Sequence, residues 1–246
     1  MLTLTPYNKT VGGKDMAGSD KNTEKLQVDF PYKTCIFDIS GVITDANLTF
    51  TKKIWTCMLY ADISKYDVGF EEMVLAFGAN RMSNVFEEKN VPKEKRDIFW
   101  ETWKRIPEHV PGDIRLFPDV IPTLNTLQIL GVKVVLASRL YGENFDLVIY
   151  ELQMIGKLKV EIIGASPESQ EERMRDDCMQ RVLARAIDNT RPPRIYVDDS
   201  LDRMKGAKSI DPDISCIGST HGFFNETQLK NAGADRVICN LSELFK

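Results

Sequence analysis

The feature that most constrains the fold is a series of short apolar runs, rich in Val and Ile, without a polar residue at every second place. They are Tyr32–Phe37, Val132–Ala137, Val160–Ile163, Arg194–Val197 and Ile214–Ile217, with Arg236–Cys239 reading as a sixth. A strand with one wet face alternates; a parallel strand covered on both faces does not. Helical patterns fill the gaps. Val120–Leu130 places apolar residues at Val120, Ile121, Leu124, Leu127, Ile129 and Leu130 and stops at Gly131, a residue suited to closing a helix. Cys178–Ile187 repeats this spacing through Val182, Leu183, Ala186 and Ile187. Strands alternating with helices predict an α/β fold, a doubly wound parallel (Rossmann-like) sheet. Ligands of such sheets sit just beyond the carboxyl ends of the strands.

One stretch breaks the alternation. Between Thr49 and Pro111 the sequence reads as three or four helices: TKKIWTCMLYADISK, FEEMVLAFGA, RMSNVFEEKN and KEKRDIFWETWKRIPEHV. This predicts an all-helical cap over residues 49–111, set into a core made of residues 28–48 and 112–246, with hinges near Asp45–Leu48 and Pro111–Gly112. Residues 1–27 are polar and rich in Gly, Lys, Asn and Thr, the composition of a mobile tail.

Charge excludes one class of partner. The net charge of −4 offers no Lys/Arg excess for a nucleic-acid backbone. No run of about eighteen apolar residues exists to span a membrane, and the N-terminus lacks the core of a cleavable signal. The five cysteines are widely spaced with no CxxC pair, and only two histidines are present, which argues against zinc and for reduced thiols. The expectation is a cytoplasmic protein, monomer or homodimer.

Three segments carry chemistry. In Cys35–Asp45, Asp38 falls where an apolar strand meets a Gly-containing turn. It can be a nucleophile or a Mg²⁺ ligand, with backbone N–H groups of the loop meeting a phosphate, or it can simply cap the turn. In Arg194–Asp202, Asp198 and Asp199 leave another strand end together. Adjacent acids repel unless a cation neutralises them, so the pair reads as a Mg²⁺ site or as a solvated acidic loop with Asp202 capping a helix. In Val134–Arg139, Ser138 can donate to a phosphoryl oxygen or form a turn.

In this order, and separated by a helical insert, the segments resemble the haloacid dehalogenase superfamily, specifically its phosphoglycolate-phosphatase-like branch with a helical cap. Asp38–Val42 matches the family's first motif at all but one position, Ser138 its second, and Val197-Asp198-Asp199-Ser200 its last. Gly112–Val120 looks like the return from cap to core, and Gly218–Gly222 through Ala232–Asp235 like the C-terminal end. The resemblance implies a Mg²⁺-dependent phosphatase for a small phosphate ester. Asp38 would attack phosphorus to give an aspartyl-phosphate. Mg²⁺ would be held by Asp38, the Ser40 carbonyl and Asp199, with Asp198 close by. Ser138 and the loop N–H groups around Gly41 would hold the phosphoryl oxygens, and Arg139 and Arg105 are candidate substrate contacts. Trp55, Tyr60 and Arg81 are further candidates in the cap, although aromatics at helical spacing are usually core.

The pattern departs from the family in three places. Ser40 stands where the phosphatases carry a second Asp as general acid and base, a role a hydroxyl cannot fill near neutral pH. No lysine occurs between Gly164 and Arg185, where one is expected; Arg173 or Arg175 would have to bring that charge. The acid that often follows the last motif has no match, since Asp202 is one residue early and the aligned position is Arg203. The alternative function is therefore a catalytically impaired relative that binds a phosphorylated ligand or protein partner.

Overall fold

β1 (Thr34–Phe37) is buried along its whole length. A strand covered on both faces has no polar side to display, hence the uninterrupted apolar run. The computed structural model describes residues 29–79, 81–106, 114–138, 143–164 and 178–246. Within these, β1 is joined by β2 (Lys133–Ser138), β3 (Val160–Gly164), β4 (Arg194–Asp198), β5 (Ser215–Ser219) and β6 (Arg236–Ile238). Every pairing is parallel and the order is β3-β2-β1-β4-β5-β6. The expected doubly wound sheet is present, each strand within two residues of its expected bounds. The order reverses between β1 and β4, the place where such sheets open a crevice.

Alternate residues of the strands feed two separate apolar layers. Phe37, Leu136 and Val197 face α5 (Val120–Ile129) through Leu124 and Leu127. Ile36, Val135 and Tyr196 face the other side, against Val182 and Leu183 of α7 (Cys178–Asp188), Met204 of α8 (Leu201–Ile210) and Leu229 of α9 (Glu226–Asn231). A further helix, α6 (Glu143–Tyr150), follows β2. Gly131, at φ +75°, takes the left-handed turn after α5 that its sequence position predicts.

Between β1 and α5 run α1 (Ala46–Ala61), α2 (Phe70–Gly78), α3 (Met82–Glu88) and α4 (Lys93–Arg105), with a 3₁₀ turn at Ile63–Tyr66. They bury a third apolar cluster of their own, including Ile54, Met73, Phe86 and Phe99. α1 begins at Ala46, earlier than the sequence pattern suggests. Asp45 stands at its N-cap without a side-chain capping bond, because its Oδ1 accepts from the Arg115 N–H at 2.7 Å instead. That bond belongs to a clasp: Asp45 N–H donates to the Arg115 carbonyl at 3.0 Å and Phe117 N–H to the Ile43 carbonyl at 3.0 Å. The chain thus leaves and rejoins the sheet side by side. Residues 1–27, expected to form a tail, lie outside the described residues.

Candidate active site

Asp38 follows the last residue of β1, and its backbone N–H donates to the Val197 carbonyl of β4 at 2.9 Å. Phe37 is in register with Val197, so Asp38 and Asp198 end adjacent strands side by side. Asp199 follows directly. All three are buried, at 2%, 0% and 3% exposure. Each offers one oxygen such that the three lie within 4.8 Å of one another. Three buried carboxylates at that spacing have the hard-oxygen chemistry of a divalent metal site.

The side chains are held from several directions. Asp199 Oδ2 accepts from Asn47 Nδ2, in the first turn of α1, at 2.8 Å. Gly41 (φ +77°) and Gly222 press backbone against the same carboxylate, and a Cβ on either would overlap it. Ser219 Oγ donates to the Gly41 carbonyl at 2.9 Å, tying the end of β5 to the loop after β1. Asp198 Oδ1 accepts the Ser200 N–H at 2.8 Å, and its Oδ2 accepts the Tyr196 hydroxyl.

Arg203, in the first turns of α8, faces the whole cluster. Its Nη1 is 3.0 Å from Asp38 Oδ1, its Nε 3.3 Å from Asp198 Oδ2 and its Nη2 3.4 Å from Asp199 Oδ1. Five of the six carboxylate oxygens therefore have a protein donor. The sixth, Asp38 Oδ2, is buried and has none. A buried carboxylate oxygen without a partner is costly, and in a cleft such an atom is typically reserved for a ligand.

Burial raises the proton affinity of Asp38 well above the usual carboxylate range; Arg203 opposes that shift, while Asp198 and Asp199 add to it. Asp199 is pushed up to about 7, by burial first and by Asp198, against Arg203 and Asn47. Burial works against the charge on Arg203, yet Asp198 and Asp38 hold its proton more firmly than usual. Removing Arg203 would leave repelling acids with no counter-charge.

The expected site residues are distributed unevenly. Asp38, Asp198 and Asp199 come together. Ser40 is half-buried in the loop that follows, bridged to Thr44. Ser138 is buried at the end of β2, two positions past the Leu136 that pairs with Phe37. Gly41 departs from its expected part: its N–H is spent on the Thr44 carbonyl at 2.8 Å, so its contribution is room for Asp199 rather than an amide for a ligand. Arg105 is exposed at the end of α4. Tyr60 is 72% exposed, Trp55 packs its edge on Phe70, and Arg81 pairs with Glu88 at 3.4 Å. Arg139, Arg173 and Arg175 lie outside the described residues. Sequence reading missed Arg203 and Asn47 as members of the site.

A family model described as haloacid dehalogenase-like hydrolase matches residues 32–211. The chain belongs to that family. Among solved structures it is similar to a hydrolase from Pseudomonas syringae, at 18% identity and a TM-score of 0.61 over 86% of this chain and 95% of that one. A predicted phosphatase from Clostridium acetobutylicum gives 19%, 0.58, 87% and 96% on the same measures. A predicted phosphoglycolate phosphatase from Haemophilus somnus gives 15%, 0.56, 87% and 96%. At these identities the likeness is one of fold. No curated protein matches the sequence significantly. Among the described residues no helix is long and apolar enough to cross a membrane.

Proposed function

We propose that this haloacid dehalogenase-like hydrolase is a Mg²⁺-dependent phosphatase for a small phosphate ester, of the size of phosphoglycolate, and that Asp38 is its nucleophile. The observation that carries the reading is the buried Asp38 carboxylate at the β1/β4 crevice, with Oδ2 unpartnered beside Asp198 and Asp199. An Asp38 oxygen forms a bond to phosphorus as the ester P–O bond breaks, leaving an aspartyl-phosphate and an alkoxide that takes a proton from solvent. Water then attacks phosphorus, the acyl-phosphate P–O bond breaks, and inorganic phosphate leaves with the Asp38 carboxylate restored. Asp38, the Ser40 carbonyl and Asp199 would hold Mg²⁺, which would supply positive charge against the phosphoryl oxygens. Ser138 donates a hydrogen bond to one of those oxygens. Helices α1–α4, which fill most of residues 49–111 and begin at Ala46, act as a cap that selects the substrate and excludes water, with Arg105 at its edge. The protein works in the cytoplasm as a monomer or homodimer.

Two departures support a second reading, an impaired relative that binds a phosphorylated ligand or protein partner: Ser40 lacks a general acid, and Arg203 already neutralises the carboxylates. One experiment separates the two. Purified protein with Mg²⁺ is assayed on a panel of small phosphate esters alongside Asp38→Asn. The phosphatase reading expects turnover by the wild type and its loss in the variant; equal rates in the two proteins refute it. Phosphate binding by calorimetry without any turnover selects the second reading.

A further inference from the structure

We propose that Arg203 is the resident cation of this site: its guanidinium holds the three carboxylates in the place of a divalent ion, and Mg²⁺ enters only by displacing it. The proposal rests on reading Asp38, Asp198 and Asp199 as the cation site and goes beyond it, since it assigns a residue that controls access to that site. The geometry is specific. Three different nitrogens of one guanidinium reach three different carboxylates, at 3.0, 3.3 and 3.4 Å, so the cation sits centrally rather than beside one acid. Those contacts occupy one oxygen of each acid, and a cation entering the cluster would have to compete for them. The two other bonded oxygens are turned to the Ser200 amide and to Asn47, which leaves only Asp38 Oδ2 open.

A helical side chain leans toward the N-terminal end of its helix, so Arg203 points back at the strand end where Asp198 and Asp199 emerge. No rearrangement of α8 is needed to reach them. The Arg203 side chain is 23% exposed while the acids beneath it are at most 4% exposed, so it lies on the solvent side of the cluster. A hard divalent ion and a guanidinium within a few ångströms repel each other, and both compete for the same oxygens. Metal affinity is therefore the difference between two cations, not the intrinsic affinity of three aspartates.

The test is metal binding rather than turnover. Mn²⁺ is titrated into the full-length wild type and Arg203→Gln and followed by electron paramagnetic resonance, with thermal unfolding in chelator and in Mg²⁺ as a second readout. The expected result is an affinity at least tenfold higher in Arg203→Gln. That variant should also melt below the wild type in chelator and gain more from Mg²⁺ than the wild type does. Equal affinities, or a variant that gains nothing from Mg²⁺, overturn the proposal. Arg203→Lys is measured in parallel in case the glutamine variant does not fold. A single ammonium cannot span three carboxylates as a guanidinium does, so Mn²⁺ should bind more tightly than to wild type, and unchanged affinity counts against the idea. Failure here is distinct from failure of the phosphatase reading: equal metal affinities with Asp38-dependent turnover remove only the role of Arg203. A metal-binding gain in Arg203→Gln without turnover in any variant removes only the phosphatase.

Discussion

Asn47 Nδ2 donates to Asp199 Oδ2 at 2.8 Å across 152 positions of sequence, joining the first turn of α1 to the acid that follows β4. The bond lowers the proton affinity of an acid that burial raises. Asn47→Leu removes the donor and leaves a buried carboxylate oxygen unsatisfied, which costs about 1–3 kcal/mol. Chemical denaturation should record that loss. It should be smaller in the Asn47→Leu/Asp199→Asn double variant than the sum of the single losses, because the two residues act as a pair.

The shift of Asp199 to about 7 has a defined consequence for pH. Its folded-state pKa lies above the unfolded value, so between the two the folded protein keeps a proton that the unfolded chain has released. Stability from this group is then present at acid pH and is lost as pH rises toward about 7. Denaturation midpoints in chelator at a series of pH values check it. The wild type should lose stability relative to Asp199→Asn as pH rises; a relative gain contradicts the assigned environment.

Ser40→Asp restores a carboxylate two residues after Asp38. If the remainder of the site is competent, a general acid there should raise kcat on esters with poor leaving groups about 10²–10⁴-fold. Esters with good leaving groups need less protonation and should gain less. The ratio of the two gains is the measurement, and equal gains would mean that the new acid is not protonating the leaving group.

Four cysteines, Cys35, Cys57, Cys178 and Cys216, are buried and Cys239 is exposed. Burial pushes the Cys57 thiol up to about 11 and the Cys216 thiol to about 12, which keeps both as unreactive thiols. A thiol reagent should modify one cysteine quickly in the native protein and all five only after denaturation. Cys239→Ser should abolish the fast phase.

The sheet is legible because its strands are short Val- and Ile-rich runs that do not alternate, and Asp38, Asp198 and Asp199 are legible because they sit where such runs stop. Arg203 was harder to read. In sequence it is one cation in a helix that also carries Asp202, Lys205 and Lys208. Its meaning lies in the four-residue step from Asp199 together with the backward lean of helical side chains, a signal present but read only as a broken motif. Asn47 carried no local signal at all, since its partner is reached through the fold. The start of α1 at Ala46 falls inside the stretch expected as a hinge, because Asp45 spends its carboxylate on the Arg115 amide and leaves no side-chain capping signal.

The clasp between Ile43–Asp45 and Arg115–Phe117 also bears on what can change in a protein of this shape. Once the two ends of a loop are pinned together, lengthening it is cheap: each doubling costs only about 0.6 kcal/mol of closure entropy. What lies between the pins beyond Asn47, which is bonded to Asp199, can thus be exchanged, enlarged or shortened with little strain on β1, which starts on the far side of Asp38. The helices after Asn47 are thus tethered to the acidic cluster only through the clasp and one side-chain bond, so their size and sequence can drift while the strand ends that carry the acids stay put.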